Sequence, residues 1–448
     1  MHLIISKFTL IYDTNFMPLK ILIIHYRYYP VSGPERYLFN VKELFERNGH
    51  TVIPFSTNYD QNIETEYNKY FVDPIGDKSQ FSYSKNSSIS LKDKFKISRN
   101  YFYNKNVYKN LSALIKEEKP DVAYVLQFFG KLSIAVFDAC KDAGIPVVLR
   151  LSDYGLLCSN NIFFRNNKVC TECLICHVSC IKHKCVHNSL SKSILNYSVL
   201  KFGYIRRFPK KIDSIVTPSI YMKRIFEGSN YFKENSIVHL PTFFLTSDLK
   251  GLHEITDTNY IDFCYFGRIE VDKGVDIFIN ALLILKEKGI LPKVIIAGDI
   301  NNSFAEGLIN HCIIEKLDNV HFLGNLKKPE LLKTISACRF SVLPSVWYDN
   351  MPNSLIESQF ASIPVIASNI GSFPELIEDG YNGFLFNTGN GEDLAKKMEY
   401  AMSLNITQFE VLKENCLKWV NDYCSEDKHY TKLIALFNDV IFNSKNVR

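Results

Sequence analysis

The chain reads as an α/β protein of two Rossmann-like, doubly wound halves that face each other across a cleft. Three observations predict this. Short apolar runs alternate with helix-length amphipathic segments from end to end, as parallel strands joined by crossover helices require. The alternation starts afresh near residue 260. The 448 residues, 46% hydrophobic and 22% charged, give room for two or three domains with their own cores and exclude a disordered or fibrous chain.

In the first half, LKILIIH (19–25) is a buried strand, followed by the turn-rich Tyr29-Pro30 to Gly33-Pro34. Arg36 to Arg47 has helical periodicity and stops at Asn48-Gly49. TVIPFS (51–56), VAYVLQ (122–127), PVVLRL (146–151) and SIVTPS (214–219) are further strands. Residues 58–93 are polar and weakly patterned, and read as a long loop. In the second half, IDFCYFG (261–267) is a strand, 271–289 a helix and KVIIAG (293–298) a strand. NVHFLG (319–324), FSVLP (340–344), PVIAS (364–368) and GFLF (383–386) follow as shorter strands. The expected division is a domain over 17–245, a second over 260–406, with the boundary in Thr246 to Asn259, and two terminal helices over 407–448.

The net charge of +5 is too small to mark a nucleic-acid binder, and no nucleic acid is expected as a partner. No apolar run reaches the roughly 18 residues of a membrane span. Lys7 and Asp13 interrupt the first sixteen residues, which do not read as a signal peptide; Met17 is the expected natural start. The expected compartment is the cytoplasm, where thiols stay reduced and the 12 cysteines read as metal ligands or core residues.

FGRIEVDKG (266–274) follows a strand and enters a helix. Gly267 permits close backbone approach, Arg268 offers a planar fork and Lys273 a point charge for phosphate oxygens; the plainer alternative is a loop with solvated charges. In PSVWYDNMPNSLIESQF (344–360), Pro352 precedes a helix that Asn353 or Ser354 can cap, with Glu357 expected in its first turn. Backbone N–H groups at such a start suit a phosphate, and Glu357 either accepts ribose hydroxyls or merely complements the helix dipole.

Together these motifs resemble the nucleotide domain of the retaining GT-B glycosyltransferases of the large family-4 group. That group carries G-R-x4-K-G after the first strand of this domain, matched here by Gly267, Arg268, Lys273 and Gly274. An acidic residue, seven others and a Glu follow, matched by Asp349 and Glu357. The resemblance is strong over 261–400 and looser over 18–245. It implies that Arg268 and Lys273 bind the diphosphate of a nucleotide-sugar, Glu357 its ribose, and Asp349 the donor sugar. Asp349 stands where the group usually has Glu, so the side chain is shorter. Gly371 and Glu375 fall in the group's nucleotide-facing loop region. The resemblance also implies a last helix crossing back onto the first domain, and no catalytic metal.

In the first half, Gly33 sits between strand and helix, where the group often has a Gly pair near the donor phosphate; here Ser32 replaces one. Simple turn chemistry is the alternative, and Glu35 and Arg36 at the helix start are candidates to approach the site. LRLSDYGLLC (149–158) has Ser152-Asp153 where related members show His-Asp. Asp153 either orients or deprotonates the acceptor hydroxyl, or caps the next segment. The resemblance implies retention, with the departing diphosphate taking the acceptor proton on the same face of the sugar.

Cys158, Cys170, Cys173, Cys176, Cys180 and Cys185 fall within 28 residues, with His177, His183 and His187 among them. The spacing C-x2-C-x2-C-x3-C suits a structural zinc, with an iron–sulfur cluster or unmetallated thiols as alternatives. Some family-4-like enzymes of surface-polysaccharide clusters carry a similar Cys-rich insert, here 158–187.

From Glu172 to Asp213 no acid intervenes, while eight Lys and Arg residues do. In 191–211 they alternate with apolar and aromatic residues, which reads as an anionic-membrane contact or as an ordinary helix with a solvated basic face. A peripheral position on the inner face of the membrane suits a lipid-linked or oligosaccharide acceptor. The expected function is transfer of a sugar from a nucleotide-diphosphate sugar to a hydroxyl of a bacterial surface glycan. The alternative is a catalytically weak nucleotide-sugar or glycan-binding partner with a metal-stabilised module. No G-x-G-x-x-G follows the first strand, which argues against a dehydrogenase or epimerase.

Overall fold

The computed structural model describes residues 17–74, 78–79, 91–245 and 261–446. The expected boundary stretch, Thr246 to Asn259, and the first sixteen residues lie outside them.

The first half contributes strands β1 (Lys20–His25), β2 (Thr51–Phe55), β3 (Val122–Gln127), β4 (Val147–Arg150), β5 (Phe164–Arg165), β6 (Lys168–Val169), β7 (Ser214–Thr217) and β8 (Ser236–His239). The second contributes β9 (Ile261–Phe266), β10 (Val294–Ala297), β11 (Val320–Gly324), β12 (Cys338–Leu343), β13 (Val365–Ser368) and β14 (Gly383–Phe386). Two parallel sheets result, in the orders β2-β1-β3-β4-β7-β8 and β11-β10-β9-β12-β13-β14, with β5 and β6 as a separate small hairpin. Near-continuous apolar strands such as β1 and β3 are buried because helices cover both faces of a parallel sheet.

Three local readings are corrected. The stretch after residue 58 is not wholly loop: Tyr59, Tyr67, Tyr70, Phe71 and Val72 are buried, with a 3-10 turn over Glu66–Tyr70 and a bridge from Thr57 to Val72. Its buried aromatics follow no helix or strand period, so the polar majority hid them; 75–77 and 80–90 lie outside the described residues. Strand β8, a half-buried sheet edge, was not anticipated. The single helix expected over 271–289 is a 3-10 turn, Val271–Lys273, then a helix, Val275–Glu287. Gly274 separates them at φ +67°, and a Cβ there would stand 2.0 Å from the Pro344 carbonyl oxygen. Only glycine fits a turn pressed this closely on the β12 loop.

Helix Ile406–Tyr423 places Val420 in the cluster around Leu355 and Ile356 of the second half. The last helix, Glu426–Asn446, instead lays Leu433, Ile434, Phe437 and Val440 into the core of the first sheet. These positions recur at helical spacing, so one apolar stripe is buried.

Candidate active site

Strand order reverses between β9 and β12 in the second sheet and between β1 and β3 in the first. Ligands of doubly wound sheets bind beyond the carboxyl ends of the strands at such points. A cleft of ≈ 860 Å³ lies there, lined from the first half by Gly33, Arg36 and Arg150 and from the second by Gly267, Arg268, Lys273, Asp349, Asn353, Ser354 and Glu357. The donor-side residues expected from sequence therefore share one cavity.

Gly33 opens helix Gly33–Arg47 and Asn353 opens helix Asn353–Phe360 on the opposite wall. A Cβ on Gly33 would sit 3.1 Å from Nδ2 of Asn353, so the two helix starts meet across the cleft. Both present the positive end of the helix dipole to it, although in the first helix Pro34 carries no N–H and Ser32 and Glu35 form a capping box. The expected cap is corrected: Pro352 holds the N-cap position and no side chain of Asn353 or Ser354 caps the helix. Glu357 is therefore its fifth residue rather than a first-turn acid.

The cations lining the cleft are mostly held by carboxylates. Arg268 pairs with the exposed Glu270 and, at 3.0 Å, with the buried Asp272. Lys273 pairs with Asp349 and lies 5.0 Å from the centre of the Trp347 ring. Arg36 donates from Nη1 to Glu357 at 2.5 Å, tying the first helix of one half to the predicted ribose acid of the other. Asn350 adds a bond from Nδ2 to the Ser152 carbonyl, 3.2 Å. Glu375 does not line the cleft; it accepts the N–H groups of Ile220 and Tyr221, at 2.8 and 3.3 Å, at the start of helix Ile220–Glu227. Glu35 turns away too, buried and accepting from Ser32 and Arg27.

Arg150, not singled out in the sequence, ends β4 and is 5% exposed. Its Nη1 donates to Ser152 Oγ (3.0 Å), its Nη2 to Thr242 Oγ1 (2.8 Å), and the guanidinium lies 3.7 Å above the Tyr37 ring. The one available signal was a cation terminating the buried run PVVL. His429 Nδ1–H donates to the Pro241 carbonyl (2.9 Å), so the neutral ring accepts at Nε2 from the Tyr37 hydroxyl (2.9 Å). Burial, then the Arg150 charge, lower the His429 pKa to about 3.

Asp153 lines a neighbouring cavity of ≈ 90 Å³ built from first-half residues, including Tyr26, Gln127 and Phe128. Arg150 and Ser152 line both cavities. Asp153 accepts from the Gly155 N–H at 2.7 Å, and burial raises its pKa.

In the Cys-rich insert, Cys173 meets the thiols of Cys158 and Cys180; its hydrogen bond holds the Cys180 thiol down to about 6. Cys170 and Cys185 are half-buried, and Cys176 is exposed. His177 bonds the Leu157 carbonyl and His183 bonds Glu172. Among the described residues no group of three or more His, Cys, Asp or Glu side chains is arranged to hold a metal ion.

Two facing doubly wound domains with an anion-ready cleft between them define a GT-B fold, and solved structures agree. A glycosyltransferase from Rickettsia africae superposes with a TM-score of 0.67 at 18% identity, over 95% of this chain and 99% of that one. Anabaena HepE, solved with UDP and glucose, gives 0.60 at 15% identity, over 94% and 100%. Residues 253–419 match the family model Glycosyl transferases group 1. The capsular polysaccharide biosynthesis glycosyltransferase CapM of Staphylococcus aureus is 22% identical over 243 residues, 52% of this chain and 63% of that protein. The chain spans about three fifths of the length of such curated relatives. Among the described residues, no helix is long and apolar enough to cross a membrane.

Proposed function

We propose that the protein transfers a sugar from a nucleotide-diphosphate sugar to a hydroxyl of a surface-glycan acceptor, with retention of configuration. The carrying observation is the convergence of Arg268, Lys273 and two opposed helix starts on one interdomain cleft. A diphosphate seated there meets a planar fork, an ammonium and backbone N–H groups. These groups are placed before the reaction, so they stabilise charge as it develops on the leaving diphosphate. Glu357 accepts ribose hydroxyls once Arg36 yields. Asp349, fixed by Lys273, faces the donor sugar. The acceptor hydroxyl approaches from the first-half wall, and its proton passes to the departing phosphate on the same face, which leaves Asp153 an orienting role.

Support for a surface-glycan acceptor comes from the similarity to CapM. A lipid-linked acceptor agrees with the insert and the helix Leu190–Ile205, where Ile175, Val178, Leu190, Ile194 and Ile205 are exposed among Lys182, Lys184, Lys192, Lys201 and Arg206. Exposed apolar groups set among cations, of which Arg206 is paired with Asp138, suit shallow, salt-sensitive docking on an anionic bilayer. Flotation with anionic vesicles tests this: binding lost at high salt is expected, and equal binding to neutral vesicles contradicts it. The transfer reading is tested by a thermal-shift screen of UDP-, GDP- and ADP-sugars, then donor turnover with Glu357→Gln as control. Stabilisation by one donor with turnover abolished in the variant is expected. Donor binding without turnover by the wild type, with or without acceptor glycans, rejects it in favour of a binding partner.

A further inference from the structure

Four cations line the cleft, and they are not held alike. Arg36, Arg268 and Lys273 each grip a carboxylate. Arg150 is buried to 5% exposure and, among the described residues, has hydroxyls and the Tyr37 ring around its guanidinium and no carboxylate in an ion pair with it. A guanidinium has five N–H donors. The Nη groups serve Ser152, Thr242 and Tyr37, and the buried Nε has no partner among the described residues. A buried charge without a counter-ion is costly and is rarely kept for stability alone. Among the described residues no ion pair joins it to its neighbour Asp153, whose carboxyl is engaged with Gly155 and Gln127 instead.

Placement decides what the charge is for. Arg150 and Ser152 border both the cleft and the ≈ 90 Å³ first-half cavity. Arg268 and Lys273, which suit the donor diphosphate, come from the other half. We propose that Arg150 is the binding residue for an oxyanion, phosphate or carboxylate, carried by the acceptor close to the hydroxyl that is glycosylated. The protein then selects anionic acceptors, a phosphorylated or uronic-acid-bearing glycan, over neutral ones. The acceptor label rests on the transfer reading; the anion site itself does not.

The test is a binding measurement on the full-length protein at pH 8. Inorganic phosphate, glucuronate and UDP are titrated separately against wild type, Arg150→Met and the double variant Arg268→Ala/Lys273→Ala. Arg150→Met is expected to weaken phosphate or glucuronate by about tenfold or more, the loss of a charge-assisted contact, and UDP by less than about twofold. The double variant is expected to do the reverse. Whichever of phosphate and glucuronate binds more tightly identifies the acceptor's anion. If Arg150→Met fails to fold, as loss of the Tyr37 contact permits, Arg150→Lys keeps the charge without the fork and is expected to show the same selective loss. Neither anion binding the wild type, or anion affinity unchanged by both Arg150 variants, overturns the proposal. So does UDP affinity falling as far in an Arg150 variant as in the double variant, which would assign Arg150 to the donor. Selective anion binding with no sugar transfer would keep the site and remove only its acceptor label.

Discussion

Arg268 and Lys273 on the second-half wall and Arg150 on the first-half wall, where Arg36 is itself paired with Glu357, carry positive charge in opposite ways. On the second-half wall, Arg268 and Lys273 rest in ion pairs with Glu270, Asp272 and Asp349. On the first-half wall, Arg150 sits among hydroxyls and over Tyr37, braced through that ring to His429 of the last helix. A paired cation can exchange one anion for another at modest net cost. A buried cation with no ion-pair partner among the described residues, held by packing, is already oriented and has no anion to release. The difference separates a wall suited to releasing its ligand as diphosphate from one suited to discriminating between ligands.

The largest effect should come from removing charge at the paired wall. Lys273→Ala takes away the proposed phosphate contact and strands the buried Asp349, so kcat/KM for transfer should fall by about 10²–10³-fold, with the fold intact by circular dichroism. A loss below about fivefold would leave Lys273 outside the chemistry. Gly274→Ala comes next, because both the positive φ and the 2.0 Å approach to Pro344 oppose a Cβ. It should destabilise by about 2–3 kcal/mol, read as a lower denaturant midpoint.

Acid should act selectively on the other wall. His429 has its pKa lowered to about 3, and burial likewise lowers His25 to about 4. Between those values and about 6.5 the unfolded chain binds protons that the folded chain does not. Stability should therefore hold above pH 6.5 and decline as pH falls below it, by up to about 1.4 kcal/mol per pH unit for each group. A thermal midpoint flat from pH 7 to 4.5 would show that these rings are not locked neutral. The smallest change is Thr242→Val, which removes one hydroxyl from Arg150 and should cost about 1 kcal/mol in urea titration. A stabilised variant would mean that the hydroxyl does not hold the guanidinium.

Legibility follows the same division. Gly267, Arg268, Lys273, Asp349 and Glu357 were readable because they lie beside β9 and β12, whose apolar runs and bounding turns are local features. The cap at Asn353 and the turn at Gly274 were misread, since each depends on which loop packs against it. The six cysteines were close in sequence, yet backbone path places Cys176 outside and brings only three sulfurs into contact. Arg150 was passed over because nothing within a few residues of it signals a role; Tyr37, Thr242 and His429 reach it from distant parts of the chain.

Apolar periodicity and glycine placement were enough to specify two parallel sheets and the turn-bearing loop after β9, because hydrogen bonding and burial along a strand depend on neighbours a few residues away. Which cations are paired and which are left alone is settled by long-range packing. Desolvation and ion pairing depend on groups brought together only once the chain has folded.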